Sequence, residues 1–239
     1  MRKGIVSFLI LLIAVSSILN AQYSINPTRP SASDNAFITS YGYSELEIGA
    51  LIQKDFYSVP ALLKVSPHEQ IEVGVSFSGL VNHTTFGDDS KTDFGDVGLQ
   101  LKSTLYKSDC FGTAVLGKIE FPSSVDPKYT FYSTSSLLFN FGQADLTIGT
   151  VMFDNVTEYD NSFIYALAFS PKLEGPIGVF VEIFGESVNG VSPISADAGL
   201  AFTVSPNLVI DAAAAFGLND HAPDLVFQMG LTTKLFKIF

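Results

Sequence analysis

Apolar residues recur at every second position from Tyr43 to the end of the chain. That period sends successive side chains to opposite faces of a β-strand. Between Glu45 and Gln53, Leu46, Ile48, Ala50 and Ile52 alternate with Glu45, Glu47, Gly49 and Gln53, Leu51 being the exception. Between Gln70 and Ser78, Ile71, Val73, Val75 and Phe77 oppose Gln70, Glu72, Gly74, Ser76 and Ser78. Between Phe94 and Tyr106, Val97, Leu99, Leu101 and Leu105 oppose Asp96, Gly98, Gln100, Lys102 and Thr104. Helical spacing is nowhere sustained. The template predicts twelve strands, near 43–53, 56–65, 70–79, 94–106, 111–121, 129–141, 144–153, 162–170, 177–186, 195–204, 208–218 and 225–239. Most have the roughly 9 to 11 residues that a tilted strand needs to cross a bilayer.

The connections alternate in character. Ser66-Pro67-His68-Glu69, Lys107 to Cys110, Gly142-Gln143, Pro171 to Pro176 and Ser205-Pro206-Asn207 read as compact turns, whereas 80–93, 154–161, 187–194 and 219–224 are longer and polar. An even strand count with short turns at one end and long loops at the other is the pattern of an outer-membrane barrel. A secreted β-sandwich also alternates, but two features favour the membrane. Gly49, Gly74, Gly98, Gly149, Gly178, Gly199 and Gly230 share the polar face, as a narrow interior requires. Phe77, Phe121, Tyr129, Phe131, Phe139, Phe141, Phe163, Phe169 and Phe239 sit on the apolar face near strand ends, where such barrels carry aromatic girdles. The expected fold is therefore all-β: a closed antiparallel transmembrane β-barrel, with the lipid bilayer as its first partner. The last strand ends on Phe239, which resembles the signal read by the outer-membrane insertion machinery.

Composition narrows the alternatives. In 239 residues with a mean hydropathy of +0.32 and 15% charged residues, no apolar run after residue 20 reaches the length of a spanning helix. A formal charge of −11 leaves no basic stripe for phosphates, so nucleic acid is not an expected partner. The single cysteine, Cys110, permits neither an internal disulfide nor a cysteine-based zinc cage. Arg2 and Lys3 precede an apolar run from Ile5 to Leu19, and Ala21 offers a small residue for cleavage, so 1–21 reads as a signal peptide for export. Without Arg2 and Lys3, 11 basic residues face 24 acidic ones, a balance of −13. Residues 22–40 then form a periplasmic leader ahead of the barrel at 41–239.

Parity assigns an inward set. Glu45, Glu47, Glu72, Asp96, Glu120, Asp145, Glu182, Glu186, Asp197 and Asp211 face Lys64, Lys102, Lys118 and Lys234, ten acids against four lysines. Unpaired anions in a narrow space are costly, so these groups must pair, hold water or cations, or titrate. They are the expected lumen lining, shared with apolar positions such as Leu62, Leu116, Tyr132, Phe180 and Phe184. Twelve strands at about 4.8 Å spacing and 40° tilt give a backbone diameter of roughly 24 Å, wide enough for a small pore or a filled interior. The leader carries Pro27-Thr28-Arg29-Pro30, with Arg29 the only arginine after the signal peptide. A leader of this length reads either as a disordered tether or as a plug, with Arg29 set against Glu45, Glu47 or Glu72.

A family resemblance is carried by Arg29-Pro30, Gly42-Tyr43-Ser44-Glu45-Leu46-Glu47-Ile48-Gly49, Gly95-Asp96-Val97-Gly98-Leu99-Gln100-Leu101-Lys102 and Ile119-Glu120-Phe121-Pro122. It continues in Ser205-Pro206-Asn207-Leu208-Val209-Ile210-Asp211, Ala222-Pro223-Asp224 and Gly230-Leu231-Thr232. These segments resemble the family of outer-membrane transporters named after the MetA pathway of phenol degradation. Thr28 stands where an acidic residue commonly precedes Arg-Pro, and Ser123-Ser124 where a glycine usually follows the proline. The resemblance implies a barrel that passes small, often hydrophobic compounds.

Other functions fit less well. A barrel phospholipase needs His and Ser together on the lipid-facing wall, yet His68 is expected in a turn and His83 and His221 in loops, away from Ser133 and Ser135. His83 with Asp88 and Asp89 has the composition of any solvated loop tip. A structural or adhesion barrel would work through its loops, which are short. No catalytic residue, metal ligand or cofactor is expected. The sequence reads as a channel or transporter for small solutes, partly hydrophobic ones included.

Overall fold

The computed structural model describes residues 25–121, 127–153 and 161–238, all without an α-helix. The segment 1–21 expected as a signal peptide, Phe239, Ser123-Ser124 and most of the loop expected at 154–161 lie outside the described residues. The long strands are β1 (Tyr43–Gln53), β3 (Ala61–His68), β4 (Ile71–Phe77), β7 (Val97–Lys107), β8 (Phe111–Phe121) and β9 (Lys128–Phe139). They continue as β10 (Gly142–Phe153), β11 (Ser162–Pro171), β12 (Ile177–Ser187), β13 (Ile194–Ser205), β14 (Leu208–Gly217) and β15 (Leu225–Lys237). Each of these twelve pairs antiparallel with the next, and β15 pairs with β1 from Tyr43↔Lys237 to Gln53↔Val226. Closure gives each of the twelve long strands a neighbour on both sides, so none of them is a free edge that could template aggregation.

Three further strands extend the wall on one side: β2 (Phe56–Ser58), β5 (Asn82–Phe86) and β6 (Asp89–Asp93). They lie in the same three staves as β3, β4 and β7, separated from them by irregular steps at 59–60, 78–81 and 94–96. Pro60 has no N–H to give to a ladder, and Gly79 and Gly95 bring their backbones together, Gly95 N–H donating to the Gly79 carbonyl at 2.7 Å. The stretch 80–93, expected as a loop, is therefore mostly the β5–β6 hairpin, which turns at Gly87 with φ +60°. Apart from Phe86 its strand residues are polar on both faces, so no alternation marked it as strand. His68 likewise closes β3 rather than lying in a turn, and His83 lies in β5 rather than a loop, stacked on Tyr57 with ring centroids 5.0 Å apart.

The parity is inside-out. Leu99, Leu101 and Leu105 are more than half exposed, whereas Glu45, Glu47, Lys64, Glu72 and Lys102 are at most 1% exposed and are the largest fully buried side chains. A soluble sandwich would reverse that order, because burial of apolar area is what stabilises it in water. An apolar outer wall around an ionic interior suits hydrocarbon solvent instead.

Candidate functional site

The ionic interior is filled by the leader. From Thr39, residues run inward past β4, cross to β7, β9 and β10 at 34–36, reach β12 at 31–33 and β14–β15 at Arg29, and return to β1 at 26–28. Asn26 closes the circuit: its Nδ2 donates to the Phe37 carbonyl at 3.0 Å and its Oδ1 accepts from Asn35 Nδ2 at 3.1 Å. Residues 26–37 thus form a closed loop lying across the bore.

Wall carboxylates hold this loop by its backbone. Thr39 N–H donates to Glu72 at 2.7 Å, Thr28 N–H to Glu47 at 2.9 Å and Asn26 N–H to Glu45 at 3.3 Å. Glu182 accepts the N–H groups of Ala32, at 2.8 Å, and of Ser33, together with the Ser31 hydroxyl at 2.9 Å. Two neutral side chains act the same way, Ser136 toward Ala36 N–H and Thr147 toward Asp34 N–H. An irregular segment buried in a barrel has no ladder for its N–H groups, and each would be costly unmet. The acidic surplus is the other half of that requirement.

Asp34 is the most heavily bound leader residue. Its carboxylate pairs with Lys102 Nζ at 2.8 Å and accepts the Tyr132 hydroxyl at 2.8 Å, while its carbonyl accepts from Thr134 and Thr147. Lys64 bridges Glu47 at 2.6 Å and Glu45 at 3.7 Å and donates to the Asn26 carbonyl. Glu120 is held by Lys118 at 2.9 Å and by Lys128 at 3.1 Å.

Of the lining residues expected from sequence, Glu45, Glu47, Lys64, Glu72, Lys102, Glu120, Asp145, Glu182, Asp197, Asp211 and Lys234 are buried in this interior. Lys118 is part-exposed, and Asp96 is half-buried ahead of β7. Glu186, placed inward by parity, is exposed at the long-loop end of β12. Arg29 does not meet Glu45, Glu47 or Glu72; its guanidinium stands 3.6 Å from Asp211. The cause is the loop's course, which carries residue 29 to the β14–β15 side before returning to β1. Sequence reasoning missed Asp34, whose only signal was that it is the one acid of residues 22–40.

Cavities lie on both sides of the loop. One of about 390 Å³ runs from Arg29, Ser33 and Asp34 up to Pro60, Ser78 and Gln100. Another of about 250 Å³ runs from Pro27, Arg29 and Pro30 down to Pro171, Phe180 and Ala201 at the short-turn end. Thr28, Arg29, Ser31 and Ser33 line both, so the loop is the partition between them.

No family model matches the chain, and no curated protein matches its sequence. Solved structures do match its backbone. An outer membrane channel from Pseudomonas putida F1 aligns with a TM-score of 0.66 at 7% identity, over 89% of this chain and 100% of that one. The KdgM porin in complex with disordered oligogalacturonate aligns at 0.63 and 8% identity, over 80% of this chain and 99% of that one. The NanC porin aligns at 0.58 and 10% identity, over 80% and 100%. The fold is that of an outer-membrane porin. By fold the chain is similar to outer-membrane channel barrels.

Proposed function

We propose that this chain is an outer-membrane channel for small solutes, with residues 25–40 as the element that closes it. The observation that carries the reading is the leader loop lying across the bore between two cavities, held by side chains that project inward from most of the staves. Solutes of modest size, neutral or cationic and partly apolar, suit cavities lined by carboxylates beside Phe180, Val179 and Leu62. Export through the signal peptide at 1–21 and insertion through the strand ending on Phe239 would bring the barrel to the outer membrane. A hydrolase is the weaker reading, because Ser133 and Ser135 lie on β9 while His68 ends β3, His83 stacks on Tyr57 in β5 and His221 lies in the 218–224 loop.

Liposome swelling tests the proposal. Vesicles carrying the mature protein should swell slowly in neutral sugars, and vesicles carrying the protein without residues 22–40 should swell several-fold faster with a sharp size limit. Swelling absent from both would overturn the channel reading.

A further inference from the structure

Arg29 occupies a place in the wall shaped for its head group. Asp211, Gly230 and Gly49 are register partners on β14, β15 and β1, side by side on the inward face. A Cβ at Gly230 would stand 2.8 Å from Arg29 Nε and Nη2, and one at Gly49 would overlap the guanidinium outright. The two glycines therefore form a bare floor on which a planar cation lies. Above it the Met229 carbonyl accepts Nη2–H at 3.0 Å, and Asp211, with a side chain 1% exposed, faces the head group at 3.6 Å.

The fit is incomplete. Both Asp211 carboxylate oxygens and Arg29 Nε are buried without a hydrogen-bond partner. An unconstrained guanidinium would fork onto such a carboxylate with two bonds of about 2.7–2.9 Å. Arg29 cannot, because its backbone is fixed on either side by Thr28 on Glu47 and by residues 31–33 on Glu182. An untethered cation could approach Asp211 more closely. The cavity of about 250 Å³ beside it, with Phe180, Val179 and Ala168 in its wall, offers apolar surface to the rest of such a molecule.

We infer that this cradle is a binding site for organic cations, specifically a guanidinium joined to a small apolar body, and that Arg29 is its tethered competitor. The inference deepens the channel reading by naming a solute class, and it rests on that reading for its role in passage. Entry of the cation displaces the Arg29 head group, forks onto Asp211 and removes one of the contacts that hold the loop across the bore.

The test is binding of phenylguanidine to the detergent-purified full-length mature protein by calorimetry, with the neutral isostere phenylurea as control. Arg29→Ala, which empties the cradle, should bind phenylguanidine at least tenfold more tightly than the parent and leave phenylurea unbound. Adding Asp211→Asn should abolish the gain. Heat-modifiable gel mobility reports whether each barrel is folded. Equal affinity in parent and Arg29→Ala, or equal binding of phenylurea, would overturn the site. Because binding is read without conductance, a protein that binds but never conducts overturns the channel, and one that conducts but never binds overturns the site.

Discussion

Glu182 illustrates how single residues work in this interior. A carboxylate kept from water is costly unless its lone pairs are used, and Glu182 uses them on the Ser31 hydroxyl and two backbone N–H groups. Hydrogen bonds to a charged group contribute about 1.5–3 kcal/mol each, so Glu182→Ala should weaken docking of the loop by at least that amount. Removing a charge beside Asp197, its register partner, relieves the barrel but not the loop. Maleimide labelling of a Ser33→Cys reporter, with Cys110→Ser to remove background, should accelerate at least tenfold in the Glu182→Ala protein; unchanged labelling would mean that Glu182 does not hold the loop. Asp34→Ala is harsher, since it strands Lys102 at 1% exposure, and losing one member of a buried pair costs about 3–5 kcal/mol. Adding Lys102→Met should recover part of that loss in a urea titration of loop release, and no recovery would show that the pair is not the cause. The acids themselves were legible in the sequence, because parity alone puts them inside. Their partners were not, since the donors are backbone N–H groups of residues 26–39 that no side-chain pattern reports.

At the scale of elements, the wall follows from alternation and the rest from turns. Wherever one face meets lipid and the other the interior, the two-residue period marks the strand, as in β4 and β7. It fails where a strand leaves the apolar belt, which is why the β5–β6 hairpin was read as a loop, while β2 and β3 were expected as one strand at 56–65. It also fails at Glu186, which obeys the parity of β12 but lies at the rim, exposed. The wall predicts a depth-dependent effect. Leu101, 52% exposed in mid-strand and paired with Val73 and Gly117, should cost about 2–4 kcal/mol when replaced by arginine, while Gln100→Arg on the opposite parity should cost far less. Reversible unfolding in lipid vesicles measures both, and equal penalties would contradict the assignment of faces.

For the whole molecule, charge and closure have to be read together. The count of ten inward acids to four lysines suggests a strongly cation-selective bore, but Glu45, Glu47, Glu72 and Glu182 are already engaged by the leader or by Lys64. Taking the leader away returns those charges to the path. Reversal potentials in a salt gradient should therefore show a mild cation preference in the full chain and a stronger one without residues 22–40, and a shift toward anions would contradict the account. Single-channel conductance in planar bilayers asks the central question most directly. The mature protein should conduct little, with brief openings, and the same barrel lacking residues 22–40 should give a steady conductance several times larger. Identical conductance in the two proteins would contradict the claim that the loop from 25 to 40 closes the channel.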